Sequence, residues 1–250
     1  MKRGQVTIFI VVAIVVIGIV GVLIYLNTNK NQESKSVLET DSVHSFVQLC
    51  LDETLKEGVE FVGLQGGYYN EPVLSKYYIF YNIPYYWSAG ENKIPEINKI
   101  EEEISEYVED NLDYCLNDFK IFENSYEIKA SEINVKSLDV LDNEVQVNID
   151  YPISVQAGEK IVEFKKFDSS VSSDLKKAYD ISKQIIEEQK KTPNEIPLGF
   201  IAQLASSNDF TFETINVEDD DVVYTLIFGN ENNPFIYAYA ADYDWEVEGE

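Results

Sequence analysis

Apolar residues run unbroken near one end of this chain, recur every three or four positions in several later stretches, and alternate with polar residues in others. From Ile8 to Leu26, IFIVVAIVVIGIVGVLIYL, nineteen residues carry no charge. At about 1.5 Å per residue such a helix is about 29 Å long, the thickness of a bilayer core, and it has no polar face. The pattern predicts a basic stub over residues 1–5, a membrane-spanning helix over 6–26, a polar stalk over 27–36 and a folded domain over 37–250.

Within the domain, Phe46, Val47, Cys50, Leu51, Thr54, Leu55 and Val62 follow the helical period, and Gly63 with the Gly66-Gly67 turn marks the stop. Tyr77 to Trp87, interrupted by Pro84, reads as one short strand and an aromatic loop. A second helix opens at Pro95 and carries Ile97, Ile100, Ile104, Val108, Leu112, Cys115 and Phe119 as its stripe. From Glu127 the period changes to two. Ile133, Val135, Val145, Val147, Ile149, Tyr151, Ile153 and Val155 alternate with polar residues, Asp142-Asn143 and Ala157-Gly158 supply turns, and Ile161–Phe167 completes an antiparallel meander. Ser172 or Ser173 caps a third helix through Leu175, Ala178, Tyr179, Ser182, Ile185 and Ile186. A short helix over Ile196–Ala205 and strands over Phe210–Val217, Val222–Phe228 and Phe235–Ala241 end the chain. The expected class is α+β, amphipathic helices packed on antiparallel sheet, divisible into a helical part (37–125) and a sheet-rich part (126–250).

Charge adds a partner rule. The net charge of −26 with a single Arg, Arg3, disfavours nucleic acid and phosphate recognition. Lys2, Arg3 and the terminal amine outweigh Lys30 and Lys35, which Glu33 dilutes, so the positive-inside rule leaves the N-terminus cytoplasmic and exports the domain. No small-x-small cleavage site follows Leu26 closely, so the apolar segment is expected to stay. The only cysteines, Cys50 and Cys115, sit on the apolar faces of two helices and are expected to form one disulfide, as suits an exported protein.

The N-terminus Lys2-Arg3-Gly4-Gln5-Val6-Thr7-Ile8-Phe9 resembles the class III signal of archaeal type IV pilin-like proteins. The resemblance implies cutting between Gly4 and Gln5 by a prepilin-type peptidase, and retention of the apolar stretch as an anchoring helix. Many such proteins carry Glu at the fifth mature position, where this chain has Phe9. The stretches Cys50-Leu51-Asp52-Glu53, Gly63-Leu64-Gln65-Gly66-Gly67-Tyr68, Cys115-Leu116-Asn117-Asp118-Phe119 and Asp150-Tyr151-Pro152 are similar to those of membrane-anchored proteins from archaea with small genomes. That likeness implies no activity.

Candidate chemistry is sparse. The one histidine, His44, has no nucleophile or orienting acid near it in sequence. Ser173-x-x-Lys176 matches a short hydrolase motif, but Ser173 suits a helix cap. Asp219, Asp220 and Asp221, preceded by Glu218, are weak Ca²⁺ candidates at a hairpin turn, and Glu101, Glu102 and Glu103 are assigned to the helix dipole. The densest unusual cluster is Tyr68, Tyr69, Tyr77, Tyr78, Tyr81, Tyr85, Tyr86 and Trp87. Tyr81, Tyr85 and Trp87 are expected either to line a binding surface for a sugar or peptide or to pack a sheet under helices. No cofactor is expected. The expected role is a non-enzymatic envelope protein in a single-pass arrangement, with the lipid bilayer, the peptidase and other envelope proteins as partners; the alternative is an anchored binding module.

Overall fold

The structure, a computed structural model, describes residues 41–218, 220–230, 232–243 and 245. The stub, the 6–26 segment, the stalk and the Gly4–Gln5 junction lie outside them. Among the described residues no helix is long and apolar enough to cross a membrane.

Helix α1 (41–64) buries Val47, Cys50, Leu51, Thr54, Leu55 and Val62 of the stripe read from the sequence, leaves Phe46 partly buried, and adds Val43 and Val59. It ends in the turn that its glycines allow. Gly67 N–H donates to Val62 O (2.8 Å) and Gly66 N–H to Gly63 O (3.1 Å), with φ of +52° at Gly66 and +91° at Gly67. Helix α2 (Ile97–Leu116) buries Ile100, Ile104, Val108, Leu112 and Leu116. Cys50 and Cys115 are joined, their Cα atoms 5.6 Å apart. Eight residues further along α1, the missing side chain of Gly58 lets the Tyr107 ring of α2 lie against the backbone. The pairs 50–115 and 58–107 make α1 and α2 an antiparallel, stapled pair. Phe119, expected on the α2 stripe, instead lies in a 3-10 segment (Asn117–Phe122) beyond the helix, where it still packs edge-on against Phe46.

Ten strands form two sheets among the described residues. The first contains β1 (Ser75–Tyr78), β2 (Tyr81–Ser88), β3 (Glu91–Asn92), β8 (Phe210–Glu218), β9 (Asp221–Phe228) and β10 (Phe235–Asp242), in the order β1-β2-β10-β9-β8 with β3 beside β2. It is mixed, because β10 runs parallel to β2, whereas the sequence predicted antiparallel sheet. It also draws together strands from residues 75–92 and 210–242. Pro84 does not break β2. It sits where pairing with β1 ends (Ser75↔Pro84) and pairing with β10 begins (Ala240↔Tyr85), a place that needs no N–H.

The second sheet contains β4 (Glu127–Ala130), β5 (Asn134–Val140), β6 (Glu144–Ala157) and β7 (Lys160–Ser172). β7 pairs along the whole of β6, so β4 and β5 lie end to end on the other edge of β6. The register slips at Asp150–Ile153, where Pro152 withholds its N–H and β6 carries one residue more than β7. Val145, Val147, Ile149, Tyr151, Ile153 and Val155 point into the core. Helices α1 and α2 attend the two edges of this sheet. Gln48 of α1 donates to Asp168 O on β7 (2.7 Å), while Glu109 and Glu101 of α2 accept Val135 N–H (2.6 Å) and Val140 N–H (3.1 Å) on β5. Carboxylates thus fill edge positions that would otherwise invite a foreign strand.

Helix α3 (Leu175–Gln189) covers the first sheet with Ala178, Tyr179, Ser182, Ile185 and Ile186, and α4 (Leu198–Asn208) leads into β8. One hydrophobic cluster runs through α1, α2, α3 and both sheets. The observed class is α+β.

Candidate functional site

The two faces of the first sheet differ in kind. On the inner face, under α3, the rings of Tyr86, Tyr239 and Tyr224 stack across β2, β10 and β9, with centroids 4.6 and 5.0 Å apart. Tyr86 donates to Gly66 O (2.9 Å) and accepts from Tyr237, tying the turn after α1 to β10. Tyr224 meets Tyr243, which donates to Gln189 Oε1 (2.8 Å); the Gln189 amide nitrogen in turn holds Thr192 O, Pro193 O and Glu195 O. Burial raises all five hydroxyls above the ordinary tyrosine value; Tyr243 is pushed up to about 12, with its bond to Tyr224 acting in the opposite direction. The Tyr239 hydroxyl makes no hydrogen bond of normal geometry, and neighbouring Ser182 directs its own proton to Ala178 O. This network is a structural keystone. The sequence reading missed four of its tyrosines because they are scattered over β9, β10 and the residue after it.

The outer face carries the candidate surface. Ile83, Val223, Ala238 and Ala240 are buried there beneath Tyr78, Tyr81, Tyr85 and Val217, which are partly exposed. Tyr81 also meets Phe61 of α1 edge-on at 6.2 Å. Trp87 does not join them. Between Tyr85 and Trp87 strand β2 carries one residue more than β10, and this bulge turns Trp87 inward, 3% exposed, into the main core. The expected trio is therefore a pair, Tyr81 and Tyr85, and the third ring is packing.

Asp221, one of the three aspartates considered for Ca²⁺, belongs to this face. Its carboxylate accepts the Tyr85 hydroxyl (2.8 Å) and the Lys76 ammonium (2.6 Å), so one side chain of β9 pins β1 and β2 to the sheet. Asp220 serves through its backbone, accepting Tyr243 N–H (2.9 Å), and Asp219 lies outside the described residues. Among the described residues no group of three or more His, Cys, Asp or Glu is placed to hold a metal ion.

At the end of the outer face the β1–β2 hairpin projects apolar side chains. Val73 is 102% exposed, Phe80 85%, Tyr77 66%, Ile79 60% and Leu74 50%. The two turn residues, Ile79 (φ +43°) and Phe80 (φ +74°), both take the left-handed conformation of a type I′ turn, which Asn and Gly adopt most readily. Bulky side chains there cost roughly 1–2 kcal/mol each.

The remaining candidates have structural duties. His44 packs against Phe164 and Phe167, ring centroids 5.2 and 5.0 Å away. The cap position of α3 is Asp174 and not Ser172, which ends β7, or Ser173, whose Oγ accepts Leu175 N–H (3.1 Å), and Lys176 pairs with Asp180. Glu101, Glu102 and Glu103 are not the dipole-capping set expected, because α2 begins at Ile97 and places them beyond its first turn. Glu103, 2% exposed, instead receives Tyr69 N–H and Asn70 N–H from the loop after α1 and the Lys99 ammonium (2.9 Å).

No protein-family model, curated protein or solved structure matches this chain.

Proposed function

We propose that this chain is a non-enzymatic cell-surface protein, tethered to a membrane through residues 6–26, with the N-terminus cytoplasmic and the α+β domain displayed outside in a structural or adhesive role. The observation that carries the reading is the bond between Cys50 and Cys115, which staples two core helices and suits an oxidising compartment. It is supported by the uncharged run from Ile8 to Leu26 and by the duties of His44, Ser173 and Lys176 in packing, backbone hydrogen bonding and ion pairing. The resemblance of the N-terminus to a class III signal extends the proposal to cutting between Gly4 and Gln5 by a prepilin-type peptidase, with other envelope proteins as neighbours. The partly exposed Tyr81 and Tyr85 favour, as a second reading, an anchored module that binds a sugar or peptide.

The test is N-terminal sequencing of the chain extracted from carbonate-washed membranes, with non-reducing peptide mapping of the same sample. The proposal expects a chain that begins at Gln5 and yields a linked Cys50–Cys115 peptide. An intact Met1 on a membrane-retained chain would remove the processing step alone. Recovery in the soluble fraction with two free thiols would overturn the whole reading.

A further inference from the structure

We propose that the β1–β2 hairpin is a second membrane contact, with Ile79, Phe80, Tyr77, Leu74 and Val73 entering the interfacial layer of the bilayer that holds the N-terminal segment. This inference rests on the anchoring proposed above.

Three independent features of the hairpin converge. First, Val73 and Phe80, at 102% and 85% exposed, are the most open large hydrophobic side chains among the described residues. The turn's left-handed φ values at Ile79 and Phe80 are disfavoured for such residues.

Second, the hairpin carries little of the charge that this chain holds elsewhere. The chain holds 45 Asp and Glu in 250 residues, yet none occurs from Pro72 to Gly90. The only cation in that stretch, Lys76, is turned onto Asp221, its side chain 15% exposed. A chain of net charge −26 is repelled by anionic head groups wherever its carboxylates lead. The hairpin offers an approach to lipid with no carboxylate of its own from Pro72 to Gly90.

Third, the exposed side chains gather at a tight two-residue turn. A projecting tip of aliphatic and aromatic side chains suits a deformable interface, whereas a second copy would need a matching apolar pocket. The cavity beside Phe228 and Phe235, about 230 Å³, is also lined by Lys56, Glu60 and Asp174 and is a poor seat for Phe80.

Reach is sufficient. From residue 41 to Phe61, which touches Tyr81, α1 covers about 30 Å. Residues 27–40 can extend over about 46 Å at full stretch, so the domain can lie with its hairpin on the surface. A tip of this size holds a free protein on lipid only weakly. On a tethered chain the same contact is intramolecular and needs little affinity.

The test uses the full chain carrying Phe80→Trp, reconstituted through its own N-terminal segment into phosphatidylcholine vesicles with brominated acyl chains. The emission added by the substitution should shift to the blue and fall at least about two-fold on bromination, while that of the wild-type chain, from Trp87 and Trp245, stays unchanged. In a second variant, Ile79→Asn with Phe80→Gly gives the turn its preferred residues. It should melt no lower than wild type, yet lose the slowing of amide exchange that vesicles impose on residues 73–81. Carbonate-resistant retention with an unquenched, water-like reporter would overturn the hairpin contact and leave the anchor standing. Loss of the chain from washed vesicles would overturn both. Protection that depends on protein density and not on bromination would replace lipid by a second copy.

Discussion

The Glu103 carboxylate on α2 accepts the backbone N–H of Tyr69 at 2.8 Å, and the same oxygen takes the N–H of Asn70 at 2.8 Å. A single buried acid thereby fixes the loop that leads from α1 to the outer face of the first sheet. Burial alone would raise its pKa. The Asn70 N–H, the Lys99 ammonium and the Tyr69 N–H outweigh burial and hold it below the ordinary value of 4.5. Replacing Glu103 by Ala leaves the part-buried Tyr69 and Asn70 N–H groups without their acceptor and should lower stability by about 1–2 kcal/mol in denaturant melts. Because the native pKa is depressed, the wild-type chain keeps this stabilisation above about pH 4.5 and loses it as the pH falls further; Glu103→Gln should flatten that part of the profile.

The edge of β5 offers a more local readout. Glu101 and Glu109 accept Val140 N–H and Val135 N–H. The pair of substitutions Glu101→Ala and Glu109→Ala should speed hydrogen exchange at those two amides by about ten-fold or more, while amides of β10 change little. An increase in strand-mediated aggregation should accompany it.

Legibility in the sequence followed the local physics. The stripe of α1, that of α2 as far as Cys115, and the alternation of β6 are period signals and lie where the period places them, and the Gly66-Gly67 stop is a turn signal. The disulfide followed, since Cys50 and Cys115 occupy apolar faces of helices that must pack. Other features depend on partners distant in sequence. Nothing local shows that β2 takes β10 as a parallel neighbour, or that a bulge after Tyr85 sends Trp87 to the other side. Pro84 reads as a breaker until the change of partner strand is known. Likewise Asp221 looks like a turn acid because Lys76 lies 145 residues away. The Ile79-Phe80 turn was hidden for a different reason: it violates the residue preference by which such turns are recognised.

Reduction of the Cys50–Cys115 bond frees a loop whose ends are 65 residues apart. The chain-entropy model gives about 4 kcal/mol for that closure. Thermal melts with and without reductant should differ by that amount, and a Cys50→Ala, Cys115→Ala chain should match the reduced wild type.

High pH attacks the buried tyrosine network. Tyr86, Tyr224, Tyr237, Tyr239 and Tyr243 all hold their protons more tightly folded than unfolded. Their contribution is complete below about pH 10 and is lost as the pH rises, at about 1.4 kcal/mol per pH unit for each tyrosine still protonated only in the native state. Unfolding should therefore be steep above about pH 10, with the buried tyrosinate absorbance and the loss of circular dichroism rising together. Tyr243→Phe should soften the transition.

Display outside the cell is the central claim, and labelling of intact cells tests it most directly. A membrane-impermeant amine reagent should modify exposed lysines of the domain, such as Lys129 and Lys191, on unbroken cells, with lysis adding no further sites in residues 41–245. Labelling of those lysines only after lysis would contradict the account.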